Sequence, residues 1–152
     1  MSGRVYLGIA MEYATPVNPE PGIRRAPTID EQARALSRAA ATRGGALVEG
    51  VVTARQNEGI GREVLGSLGA AGATGAYCLT VDVFRRGDLI DRALLTDVWS
   101  ATGSLGFLIE DVHLEDDEAF LGWLDMVRAV NSVRTRDASD QWRSLVSGGA
   151  GA

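Results

Sequence analysis

The sequence predicts an α/β protein with a mostly parallel sheet of four to five strands flanked by helices. Four short apolar runs recur along the chain, at 4–10, 46–53, 76–82 and 105–111. Helical patterns separate these runs, and strands separated by helices form βαβ units whose strands are parallel. A longer helical pattern at 114–133 follows the last run and predicts a long C-terminal helix.

Length and composition indicate one soluble domain. At 152 residues the chain is expected to form a single α/β unit over 1–134, followed by a short arm and tail over 135–152. No apolar run approaches the ~20 residues that span a bilayer. The N-terminus lacks the pattern of a signal peptide. We therefore expect a cytoplasmic protein.

Charge and residue usage exclude several classes of function. The net charge is −5, which argues against a free-standing nucleic-acid binder, because such proteins neutralise phosphates with a basic face. All fifteen basic residues are arginine, as is typical of a GC-rich bacterial genome. One cysteine and one histidine leave no internal disulfide, no Cys-rich site and no two-His metal site. No metal or cofactor is expected.

Capping signals place the first and third helices, and apolar periodicity places the second. Thr28 and Glu31 have the spacing of a capping box, and a buried stripe then runs to Gly44. That predicted stripe consists of Ile29, Ala33, Leu36 and Ala40. A second helix is predicted at about 60–71, and Asp88 is a candidate cap for a third helix that begins with Leu89 and reaches Trp99.

The fourth helix, over 115–133, is more apolar than a surface helix requires. Its apolar residues lie close to one face: Phe120, Leu121, Leu124, Val127 and Val130. This face could cover the sheet or meet a partner, and the pattern leaves both alternatives open. The second alternative predicts a homodimer through this helix.

Polar residues follow the ends of the predicted strands. Ligands of open parallel sheets bind beyond the carboxyl ends of the strands, so this edge is the candidate pocket. Its candidate residues are Glu12, Tyr13, Arg55, Arg62, Asp82, Arg85, Arg86 and Asp111. Glu110 and His113 fall at the same predicted edge, with His113 expected in a loop. The mixture suits either an anion-binding pocket or a network of structural ion pairs.

Taken in order, these segments resemble the catalytic domain of the serine recombinases, the resolvase and invertase family. "VYLGIA" resembles the "YxRVS" strand of that family, "TIDEQARAL" its "S-hydrophobic-x-x-Q" helix start, and "REVLGSL" its "RxxL" helix. "DVFRR" resembles the motif "DRLxR", and "SLGFLIEDVHLED" the fourth strand before the long interface helix. The resemblance spans residues 4–133.

The resemblance implies that the reaction of the family has been lost. Those enzymes attack a DNA phosphodiester with a serine hydroxyl while arginines neutralise the phosphate. Ala10 stands at the serine position and Gly8 at the preceding arginine, whereas Arg62 matches the arginine of "RxxL". One register of "DVFRR" matches Asp82 and Arg86 to the family, and the other matches Arg85. No counterpart of the DNA-reading helix-turn-helix domain is expected.

Three functions follow as expectations. The first is a catalytically inactive recombinase-like domain that acts as a dimeric interaction or regulatory module, with weak or absent direct binding to DNA. The second reuses the strand-end pocket to bind or transform a small anionic molecule. The third is an accessory partner of a DNA-binding recombinase. Catalysis by the mechanism of the family is not expected.

Overall fold

The computed structural model describes residues 3–13, 27–55, 58–87 and 89–129, and it has the predicted α/β class. The strands are β1 Arg4–Glu12, β2 Gly45–Arg55, β3 Gly75–Cys78, β4 Arg85–Arg86, β5 Leu89–Ile90, β6 Leu105–Phe107 and β7 Val112–Leu114. The helices are α1 Ile29–Thr42, α2 Glu63–Ala71, α3 Arg92–Thr102 and α4 Asp117–Ala129. Within these described ranges, no helix has both the length and the apolar character needed to cross a membrane.

Five strands form one sheet in the order β2-β1-β3-β6-β7. The first four are parallel to one another, and β7 runs antiparallel to β6. The predicted mostly parallel sheet is therefore present, with one antiparallel strand at its edge. The short strands β4 and β5 form a separate antiparallel hairpin.

Two predicted strands are shorter than expected. The strand predicted at 76–82 ends at Cys78, and the chain enters a 3-10 turn over Val81–Phe84 because the Thr80 side chain accepts the Asp82 N–H. The run predicted at 105–111 ends at Phe107 and turns through Asp111, which has a left-handed φ of 54°. His113 therefore lies in the returning strand β7 and not in a loop.

The capping box at the start of α1 is confirmed. Thr28 Oγ1 accepts the Glu31 N–H at 3.1 Å, and Glu31 Oε1 accepts the Thr28 N–H at 3.0 Å. Leu36 and Ala40 are buried as predicted. The buried face also contains the polar residue Gln32, which the apolar pattern did not predict.

The start of α3 was predicted three residues too early. Asp91 is the N-cap, and its Oδ1 accepts the Leu94 N–H at 3.0 Å. Leu89 belongs to the β4–β5 hairpin and is 75% exposed, so it is not part of a buried helical stripe. The hairpin forms here because Gly87, with φ of 60°, supplies the left-handed turn residue. Asp88 lies outside the described residues.

The two faces of the sheet are packed by different helices. Side chains alternate along β1, so Tyr6 packs with Leu36 and Ala40 of α1, whereas Leu7 packs into the main core. That main core takes its helical residues mostly from α2, α3 and α4. The carboxyl ends of the parallel strands lie between these two layers.

Aromatic stacking attaches α4 to the main core. Phe120 stacks on Trp99 and Trp123 stacks on Phe107, each with ring centroids 4.7 Å apart. Trp99 Nε1 also donates to Asp117 Oδ1 at 2.7 Å.

The outer face of α4 differs from the predicted apolar stripe. Phe120 and Leu124 are buried, and Val127 is half-buried. Leu121 was predicted to share this face, but it is 59% exposed because its helical position points about 100° away from Phe120. Val130 lies outside the described residues. The inner face of α4 thus covers the core, and its outer face carries Leu121 and Met126.

Candidate functional site

The end of β1 is held by a buried side-chain amide. Gln32 Oε1 accepts the Met11 N–H at 2.7 Å, and Gln32 Nε2 donates to the Met11 carbonyl at 2.8 Å and to the Pro27 carbonyl at 3.1 Å. The pairing of β1 with β3 has already ended, at Ile9. Gln32 therefore replaces the missing strand at this point. Sequence reasoning matched its position to the glutamine of a family motif and assigned it no function.

Ala10 and Gly8, the positions matched to the nucleophilic serine and the preceding arginine of the serine recombinases, are tightly packed in the fold. Ala10 is 0% exposed. A Cβ atom at Gly8 would lie 2.7 Å from Val51 Cγ1 and 3.2 Å from Leu47 Cδ2, closer than ordinary van der Waals contact. The strand end therefore presents neither a hydroxyl nor a guanidinium at these positions.

Asp82 and Arg85 form a mostly buried ion pair beside this strand end. Arg85 Nε donates to Asp82 Oδ1 at 3.0 Å, and the two side chains are 11% and 13% exposed, respectively. Burial raises the pKa of the Asp82 carboxyl, and the hydrogen bond from Arg85 opposes that shift. The guanidinium of Arg85 is thus already paired with a carboxylate of the same chain.

Glu110 ties the end of β6 to the segment that follows β3. Its Oε2 accepts the Thr80 hydroxyl at 2.6 Å, and its Oε1 accepts the Val81 N–H at 3.1 Å. Burial raises the pKa of Glu110 above its ordinary value. Thr80 is a participant that the sequence analysis missed, although a threonine at a strand end before an acidic residue is a recognisable capping signal.

Tyr13 completes what we call the strand-end cluster: Tyr13, Thr80, Asp82, Arg85 and Glu110. Burial raises the pKa of the Tyr13 phenol, and the carboxylates of Asp82 and Glu110 raise it further. The fold thus brings Tyr13, Asp82 and Arg85 to the same edge of the sheet.

The other predicted residues are dispersed around this cluster. Each of the remaining arginines faces its own carboxylate: Arg55 with Glu58 at 3.9 Å, Arg62 with Asp97 at 2.9 Å, and Arg86 with Asp91 at 4.0 Å. Glu12 is exposed at the end of β1, and Asp111 is exposed in the turn between β6 and β7.

The arginines of the predicted pocket are paired with carboxylates, whereas an anion-binding site needs cations that are free to contact the anion. Every arginine of the predicted pocket has a carboxylate within 4.0 Å, so an incoming anion would compete with a partner already in place. Among the described residues, no group of three or more His, Cys, Asp or Glu side chains is placed to hold a metal ion. What the cluster does structurally is to link the end of β6 to the segment that follows β3, through Glu110.

His113 lies away from the strand-end cluster. It was predicted at the same edge, but β7 runs antiparallel and carries it back to a position opposite Gly106. Its Nε2 is 2.9 Å from Glu115 Oε1 and 3.4 Å from the Tyr6 hydroxyl. Glu115 also contacts Arg4 Nε at 3.4 Å, which places this polar group at the amino end of β1.

Comparisons of the chain with protein-family models, with curated proteins and with solved structures find no match.

Proposed function

We propose that this protein is a catalytically inactive, serine-recombinase-like domain that acts as an interaction module and pairs with a second copy through the outer face of α4. The observation that carries the proposal is Ala10. It occupies the position that resembles the nucleophilic serine, it is fully buried, and its methyl group cannot attack a phosphodiester.

The neighbouring strand position supports the loss of catalysis. Gly8 lies where the family places an arginine, and Val51 and Leu47 fill the space that a side chain there would need. Transition-state charge on a phosphate requires cations that are free to approach it. Here Arg62 and Arg85, at positions that resemble the phosphate-binding arginines, bind Asp97 and Asp82 instead.

The outer face of α4 supports the interaction role. Leu121 and Met126 are 59% and 62% exposed on a helix whose opposite face is anchored by two aromatic stacks. Contact with a partner would remove the apolar surface of these two side chains from water, which is favourable. A second copy is the occupant that we propose.

The loss of catalysis is tested by incubating the protein with supercoiled plasmid and probing for covalent protein–DNA adducts. We expect none from the native chain. We also expect none from Ala10→Ser, because its hydroxyl would be buried and would lack an arginine beside it. An active serine recombinase with its own site serves as the positive control. A native adduct would contradict the proposal.

The interaction role is tested by sedimentation velocity. Leu121→Glu is expected to lower the weight-average mass, because it places a charge in the proposed α4 contact. Leu89→Glu is the matched control, since it adds the same charge at an exposed leucine of the β4–β5 hairpin, and it is expected to leave the mass unchanged. Equal effects of the two variants would rule out α4 as the interface.

A further inference from the structure

We draw no further inference here: the strongest candidate, the polar cluster at the amino end of β1 in which the buried Nδ1 atom of His113 has no hydrogen-bond partner among the described residues, carries nothing because nothing in that part of the chain shows what this nitrogen would bind.

Discussion

At the scale of single residues, Gln32 shows how a side chain can take over the function of a strand. Its amide carries one donor group and one acceptor in the arrangement of a peptide unit, so it satisfies both backbone groups of Met11 where β3 no longer reaches. An apolar residue at this position would leave two buried polar groups without partners. The polarity of Gln32 is therefore required by the end of β1.

Replacement of Gln32 by alanine should be strongly destabilising. The change removes the partners of the Met11 N–H and carbonyl, and each buried group left unsatisfied costs about 1–3 kcal/mol. We expect the free energy of unfolding to fall by about 2–4 kcal/mol in urea denaturation. Arg34→Ala, on the exposed face of the same helix, should stay within about 0.5 kcal/mol of the native protein. If Gln32→Ala were as stable as this control, Gln32 would not be the partner that the Met11 backbone groups require.

Replacement by alanine should lower the stability of the protein at Gly8 and raise it at Gly66. At Gly8 the added methyl group meets Val51 at 2.7 Å, and forcing extra atoms into a packed site costs about 1–3 kcal/mol. At Gly66, in the middle of α2, nothing lies within 4 Å of the new methyl group. There the gain in helix propensity should stabilise the protein by about 0.5–1 kcal/mol. Thermal unfolding of both variants measures the difference. A stabilising shift for Gly8→Ala would refute the packing at Gly8, and a destabilising shift for Gly66→Ala would contradict the helix-propensity argument.

At the scale of elements, local chemistry that is visible in the chain predicted some boundaries and not others. The box formed by Thr28 and Glu31 fixed the start of α1, because both partners lie within three residues of each other. The start of α3 was misplaced because Asp88 and Asp91 are equally good caps, and the hairpin that decides between them depends on pairing with Arg85 and Arg86. A local sequence pattern carries no information about such pairing between strands, so it could not decide between the two caps.

Strand β7 illustrates the same difficulty at the edge of the sheet. Its three residues carry too little periodicity to predict a strand, and the turn before it depends on the left-handed conformation of Asp111. The misplacement of His113 follows directly, because a parallel or looped arrangement would have left it beside Glu110. Of the acidic residues predicted for this edge, Asp82 lies in the strand-end cluster, whereas Glu12 and Asp111 are exposed outside it.

Asp117 helps to attach α4 to the core, so its replacement should lower the stability of the protein. Its carboxylate accepts the Trp99 indole N–H at 2.7 Å, so Asp117→Ala leaves that donor without its partner. We expect a loss of about 1–2 kcal/mol in stability, together with a change in tryptophan fluorescence. Glu118→Ala removes the same charge from the first turn of α4 but no hydrogen bond to Trp99. It is the control, and equal losses in the two variants would indicate a helix-dipole effect only.

At the scale of the whole molecule, the two ends of the sheet hold carboxylates with opposite tendencies. Burial raises the pKa of Glu110 at the carboxyl end. At the amino end, the hydrogen bond from His113 lowers the pKa of Glu115, and the charges of Arg4 and Arg43 add to this shift. The two carboxylates therefore contribute to stability in different ranges of pH.

Glutamine substitutions should reveal these opposite dependences. Glu110 stabilises the fold most below about pH 4.5, where it is protonated in both states, and this contribution is lost as the pH rises through its raised folded-state pKa. Glu115 contributes above about pH 4.5, and its contribution is lost as the pH falls through its lowered folded-state pKa. Relative to the native protein, Glu110→Gln should thus gain stability with rising pH, and Glu115→Gln should lose it.

Urea denaturation from about pH 3 to about pH 7 measures both dependences. Glu58→Gln, at an exposed glutamate, provides the baseline for removing one surface charge. The prediction fails if the stability differences for Glu110→Gln and Glu115→Gln slope in the same direction.

The aromatic surroundings of His113 give the molecule an intrinsic spectroscopic reporter. Its ring lies 6.0 Å from that of Tyr6 and 5.9 Å from that of Tyr77, and it is the one histidine in the chain. Ring currents from two tyrosines should displace its proton resonances from their random-coil positions, and no other imidazole signal overlaps them. A one-dimensional NMR spectrum of unlabelled protein can therefore follow the docking of the antiparallel edge strand through any titration or substitution.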